Sequence, residues 1–116
     1  MNQNEQDIEN IEISITQAKK ILDKMKYLQS LTKHPAFENV ILKGYFEEEA
    51  SRLVLLKADP SMQTAEGQEA ITKAIDAIGH FRQYLHTVMQ FGRMAEKDLE
   101  EQEGTLEELH NEGLSH

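Results

Sequence analysis

The residue pairs of this chain that could bind a metal ion or move a proton are few. Asp76 and His80 are four residues apart, and so are Arg82 and His86. On a helix this spacing places both residues on one face, so Asp76 and His80 could form a hydrogen bond or supply two metal ligands. Neither pair has a nucleophile or a third ligand near it in the sequence, so side-chain pairs at the surface are the favoured interpretation.

An acidic run from Glu47 to Glu49 is the other candidate metal site. Neighbouring carboxylates on a helix do not face each other, so the three cannot converge on one ion. Di-iron bundles use a Glu-x-x-His pattern, which this chain has only at Glu107 and His110, in its acidic end. A solvated face, or pairing with lysine and arginine on other helices, is favoured. A carboxylate-rich metal enzyme remains an alternative, which elemental analysis of the protein would test.

The chain has no pattern typical of covalent catalysis or of phosphate binding. Its serines lie in no nucleophile-elbow motif, and its glycines form no phosphate-binding loop. Two further histidines, His34 and His116, lie at a predicted helix start and at the chain end. The sequence therefore predicts a protein that is not an enzyme, with no catalytic residue, no metal-binding residue and no cofactor.

The net charge of −9 is concentrated near the C-terminus, because residues 96–116 carry −7 and residues 1–95 carry −2. A strongly acidic segment repels phosphate backbones, so we expect no direct binding of nucleic acid. The longest aliphatic run, Leu53 to Leu56, is too short to span a bilayer, and the polar first ten residues do not resemble a secretory signal. With no cysteine in the chain, these features predict a cytoplasmic protein without a membrane partner.

A heptad pattern predicts one long C-terminal helix, over residues 64–103, with Thr64 as a possible cap. Apolar or small residues recur along it at alternating steps of three and four, with no proline between them. These seam positions are Ile71, Ala74, Ile78, Phe81, Leu85, Val88, Gly92, Ala95 and Leu99.

Two shorter helices precede it, over residues 6–32 and 35–58. The first has its own three-four pattern, formed by Ile8, Ile11, Ile15, Ala18, Leu22 and Met25. Pro35 and Pro60 mark the two breaks, because proline suits the first turn of a helix and disfavours helix at the residue before it. The second helix is apolar around most of its circumference, which predicts that it is the most buried element.

The predicted fold is all-α: an antiparallel three-helix bundle over residues 1–103 with a long C-terminal helix, followed by a flexible acidic tail over residues 104–116. The first two helices are shorter than the third and are expected to cover its beginning, so its later part should need a second chain. The sequence therefore predicts a protein interface at Phe91, Met94, Ala95 and Leu99, and a further one around Tyr45 and Val54 on the second helix.

Three segments resemble small, acidic, all-helical virion and assembly proteins of tailed bacteriophages. They are His34-Pro35-Ala36-Phe37, the run from Gly44 to Ala50, and the run from Ile78 to Leu85, within residues 34–100. The resemblance implies a protein without enzyme activity that works by binding protein in many copies, in the host cytoplasm or the virion. It assigns no functional residue.

Two functions of different classes follow from the sequence. The first is a helical interaction or assembly protein, forming a coiled-coil-like contact with itself or a partner protein, as a phage structural or morphogenesis component would. The alternative is an acidic inhibitor that imitates nucleic acid and occupies the basic cleft of a polymerase or nuclease. The near-neutral charge of residues 1–95 argues against the alternative, since a mimic needs charge along its folded body.

Overall fold

The chain is helical almost throughout. The structure, a computed structural model, describes residues 2–114. It contains α1 (Gln3–Thr32), a second helix here called α2 (residues 35–57), a short 3-10 turn (Pro60–Met62) and α3 (Ala65–Leu114). No strand occurs among the described residues. The all-α class and the long C-terminal helix are confirmed.

Both proline breaks lie where the sequence predicts them, and each has a side-chain cap. His34 Nδ1 accepts a hydrogen bond from the Ala36 N–H (3.1 Å) ahead of Pro35. Asp59 Oδ1 accepts from the Ser61 N–H (2.8 Å) ahead of Pro60. These bonds satisfy backbone donors that the first turn of a helix leaves unpaired.

We expect the contribution of Asp59 to stability to depend on pH. Hydrogen bonds from the Ser61 side chain and then from its backbone N–H lower the pKa of Asp59 below its ordinary value. A lowered folded-state pKa stabilises the fold above the unfolded pKa, and this is lost as the pH falls through the folded pKa. Asp59→Ala should lower the melting temperature at pH 7, and the difference from the parent should vanish in acid. Asp59→Asn keeps an acceptor and should show a smaller loss; an equal deficit of Asp59→Ala at pH 2 and pH 7 would contradict the assignment.

The chain divides into two compact units, each of which contains part of α3. Unit 1 comprises residues 2–27 and 88–114 of the described chain, and unit 2 comprises residues 28–87. In unit 1, α1 and α3 are antiparallel: Asn4 Nδ2 donates to the Leu109 carbonyl (3.2 Å), while Met25 lies against Gly92. Their buried side chains form a cluster of Ile15, Ala18, Ala95 and Leu99, flanked by Ile11, Leu22 and Leu106.

Unit 2 has its own small core between α2 and the first part of α3. Leu53, Ile71 and Ile78 are buried there, and the rings of Tyr45 and Phe46 both lie within 6.2 Å of the Phe81 ring. At the turn, Gln68 Nε2 donates to the carbonyls of Lys57 (2.9 Å) and Met62 (2.8 Å). These bonds tie the start of α3 to the end of α2.

The heptad positions of α3 form its inward face, as predicted. All nine are buried or half-buried. The sequence-based prediction is wrong about which helix covers which part of α3. The first two helices were expected to cover the same initial part of α3. Instead, α1 packs on residues 88–114 in unit 1, and α2 packs on residues 71–81 in unit 2.

The second helix is not the most buried element. It consists of α-helix at Pro35–Phe37, π-helix at Glu38–Glu49 and α-helix at Ala50–Lys57. Only Leu53 is buried, while Val40, Val54 and Leu55 are exposed. In the π-helical part, hydrogen bonds run from i to i+5, so side chains on one face recur every four or five residues. The apolar residues of α2 therefore do not form a single stripe of the α-helical period, and the helix looked apolar all round.

Gly44 suits this π-helix, because a Cβ at that position would lie 2.9 Å from the Asn39 carbonyl oxygen, five residues earlier. A carbonyl oxygen of the main chain cannot move aside as a side chain can. Glycine therefore permits a backbone approach that any other residue would crowd.

The predicted end of the third helix at residue 103 is also wrong. Helix α3 continues through Gly104 to Leu114, and Leu106 packs against the unit 1 cluster. The helical cost of a glycine, about 1 kcal/mol, is offset by that packing and by the hydrogen bond from Asn4 to Leu109. Ser115 and His116 lie outside the described residues.

Removing residues 104–116 should therefore loosen the start of α1 rather than leave the rest unchanged. The truncation deletes Leu106 and the carbonyl that Asn4 binds. Loss of one half-buried leucine corresponds to about 1 kcal/mol. We expect faster amide exchange over residues 3–11 and unchanged exchange over residues 65–85, as measured by hydrogen–deuterium exchange. Unchanged protection of residues 3–11 would show that these contacts contribute nothing.

Candidate protein-binding groove

The residue pairs with metal-binding spacing are not assembled into a site. Among residues 2–114, no three His, Asp or Glu side chains lie close enough to hold one metal ion. Arg82 and His86 border a shallow depression together with Gly79 and Gln83, and no carboxylate lines it. That surface offers no nucleophile and no base paired with one.

One residue of the acidic run on α2, Glu49, has its partner on the same helix rather than on another one. Glu49 Oε1 accepts a hydrogen bond from Arg52 Nε (2.8 Å), and the two side chains form an ion pair one turn apart. This hydrogen bond raises the pKa of Arg52 above its ordinary value. Both groups face solvent, so the pair is a surface feature with little effect on stability.

The six predicted interface residues fall into three environments. Ala95 and Leu99 are buried against α1 inside unit 1, so their predicted exposure is wrong. Tyr45 is half-buried in the ring cluster of unit 2, whereas Val54 is exposed on α2. Phe91 and Met94 are exposed at 53% and 55% of their surface.

Phe91 and Met94 border a groove between α1 and α3 in unit 1. The third large apolar side chain in it is Ile21, 43% exposed. The groove has a volume of about 280 Å³. It is lined by Ser14, Gln17, Ala18, Ile21, Phe91, Met94, Ala95, Asp98 and Gln102.

The position of the groove follows from the packing of the two helices. On α1, Ser14, Gln17 and Ile21 each precede a core position by one residue, and on α3 Phe91, Met94 and Asp98 do the same. One residue is about 100° of helical rotation, so these side chains form the stripe beside the seam. Sequence reasoning missed Ser14, Gln17 and Ile21 on α1 and Asp98 and Gln102 on α3. The one-residue offset from a core position is the signal that identifies all of them except Gln102.

The groove combines apolar surface with amide and hydroxyl groups. Gln102 Oε1 is buried and accepts no hydrogen bond from the described residues. A buried acceptor without a donor costs about 1–3 kcal/mol, and a bound chain could reach this atom only after the Gln102 side chain turned outward.

Acidic and basic residues are concentrated in different parts of unit 1. Residues 3–17 and 98–114, which lie side by side, contain eleven carboxylates and no lysine or arginine. Residues 18–27 and 88–97 contain six basic and two acidic residues. The groove lies where these two parts meet, because Gln17 and Asp98 line it in the acidic part and Ile21 and Met94 in the basic part.

Among residues 2–114, no helix combines the length and apolar character that a bilayer crossing requires. Comparisons of the chain with protein-family models, with curated proteins and with solved structures find no match.

Proposed function

We propose that this protein is a non-enzymatic helical interaction and assembly protein that binds another protein chain through the unit 1 groove. The observation that carries the proposal is the exposure of Ile21, Phe91 and Met94 together in one groove between two packed helices. Clustered apolar side chains with a polar rim are typical of protein-binding surfaces.

The exposed area of Ile21, Phe91 and Met94 limits the free energy that burying them can add to binding. About half of three large side chains is roughly 300 Å² of apolar surface, which on burial corresponds to about 7 kcal/mol before the cost of association. That suffices for an anchor of an interface and not for a complete one. The partner must therefore also contact the flanking helix faces, as an apolar helix laid along the groove would.

The resemblance of residues 34–100 to tailed-bacteriophage virion and assembly proteins supports the same class of function. A protein of that kind acts in many copies, as a structural or morphogenesis component in the host cytoplasm or the virion. Oligomerisation would then complete the bundle that two helices form in unit 1.

Affinity capture of the tagged full chain from its native source, followed by mass spectrometry and by reconstitution with the purified partner, tests the proposal. The parent chain should retain a stoichiometric partner, either another protein or itself. Met94→Glu should lose it, because a charge in the groove opposes burial. Tyr84→Glu is the matched control, since Tyr84 is equally exposed at 54% on the same helix but lies in unit 2, outside the groove. A parent chain that sediments as a monomer with no bound protein would refute the proposed function.

A second candidate, the acidic inhibitor, gains support from the structure of unit 1. The sequence placed most of the negative charge in the tail alone, whereas α1 adds four carboxylates beside the seven of α3. A two-helix acidic surface of this kind could occupy a basic cleft. The test is displacement of DNA from a polymerase or nuclease that the chain binds, in low and moderate salt. Replacing Glu100, Glu103 and Glu107 by glutamine should abolish displacement, while Met94→Glu should not.

A further inference from the structure

We propose that the groove is occupied by a second copy of this chain, docked antiparallel about a two-fold axis that passes through the groove. The inference rests on the proposed function and names its partner. It makes unit 1 one half of a four-helix arrangement, in which the apolar stripes of both copies face each other.

Charge complementarity fixes the antiparallel direction. The axis lies between the acidic part of unit 1, with its eleven carboxylates, and the basic part, with its six basic residues. A two-fold axis perpendicular to the helices places the basic part of each copy against the acidic part of the other. A parallel pairing would instead oppose the two acidic parts, and like charges across an interface suppress association.

Charged residues also flank the groove itself. On α1, Lys24 follows the groove residue Ile21 by three positions, and on α3, Glu101 follows Asp98 by three. Residues three apart share a helix face, so Lys24 extends the groove stripe at its basic end and Glu101 at its acidic end. In the antiparallel pair these two ends meet, once on each side of the axis, as an isologous interface requires.

The area is adequate for a stable dimer. The paired length of 25 residues in α1 corresponds to about 37 Å, and two adjacent helices are about 20 Å wide, which gives a face of roughly 750 Å². Standard protein interfaces bury about 800 Å² on each partner.

Sedimentation equilibrium of the full chain at 1–100 μM, in low and moderate salt, tests self-association. We expect a dimer whose Kd rises several-fold with salt, because complementary charges are screened. Met94→Glu should raise the Kd about 100-fold or more, whereas Tyr84→Glu should leave it unchanged. Lys24→Glu should raise the Kd by about 3- to 10-fold and reduce its salt dependence.

Single cysteines test the direction, because the chain has no cysteine of its own. Asp98→Cys lies near the proposed axis and should form a disulfide-linked dimer under mild oxidation. Thr105→Cys lies on the same stripe, seven residues and about 10 Å further along α3, so its two copies should stay apart and remain unlinked. Linkage of both variants would show a parallel pair and overturn the inference.

Failure of the inference and failure of the proposed function are distinguishable. A parent chain that stays monomeric at 100 μM but binds a different protein through the groove refutes the second copy as occupant and leaves the proposed function intact. A dimer insensitive to Met94→Glu refutes the groove as its interface. A monomer that binds no protein at all refutes both.

Discussion

Leu99→Glu is expected to lower the free energy of unfolding by about 3–5 kcal/mol, the cost of burying an unpaired charge or forcing it to protonate. Leu99 is 7% exposed and packs with Ile15, Ala18 and Ala95 between α1 and α3. Glutamate is a good helix former, so the loss would come from burial rather than from helix propensity. Urea denaturation followed by circular dichroism measures it.

Met94→Glu is the matched control for this substitution. The same residue enters the same helix five positions earlier, but at a side chain that is 55% exposed. It should change the free energy of unfolding by less than about 1 kcal/mol when measured at concentrations where the chain is monomeric. Equal losses from the two substitutions would mean that α1 does not cover Leu99.

Gly92→Ala should destabilise unit 1, although alanine is usually the better helix residue by about 1 kcal/mol. A Cβ at position 92 would lie 2.6 Å from Met25 Sδ and 2.7 Å from Met25 Cγ. The Met25 Cβ also lies against this position. Because that atom is fixed to the backbone of α1, it cannot swing away as the end of the side chain can, so α1 must shift outward. Overpacking of this kind costs about 1–3 kcal/mol, which outweighs the gain in propensity.

Gly79→Ala and Gly104→Ala give the opposite expectation in the same helix. A Cβ at either position meets nothing within 4 Å, so each substitution should raise stability by about 0.5–1 kcal/mol. Thermal melting of the three variants in parallel compares them directly. A stabilising Gly92→Ala would show that the close approach of α1 to α3 at Met25 is not needed.

The helices themselves could be predicted from the sequence because their determinants are local. Pro35 and Pro60 interrupt the helices where the sequence predicts, and the three-four pattern identified the inward face of α3. The cap that His34 provides was not predicted. The same regularity hid which part of α3 each helix covers. A seam that repeats from Ile71 to Leu99 offers similar apolar positions along its whole length, so it does not determine the register of its partner.

Register depends on contacts between residues distant in sequence. Met25 fits only where α3 has no side chain, and Asn4 needs a carbonyl near Leu109. Neither contact leaves a periodic signal. For the same reason the candidate site was only half predicted. Phe91 and Met94 are exposed, as expected. Ala95 and Leu99 are covered by α1, which was expected to pack on the beginning of α3 because it is the shorter helix. The π-helical segment of α2 was not predicted from the sequence.

The contact between Gly92 and Met25 has an evolutionary consequence. Each position restricts the other, so homologous chains that carry alanine at 92 should carry a smaller side chain at 25, and the two positions should change together. Either change alone would give a less stable protein. Alanine at position 92 alone overfills the contact, and a smaller side chain at position 25 alone leaves a cavity. Aligned natural sequences should therefore show these positions as a covarying pair, while positions 79 and 104 vary independently.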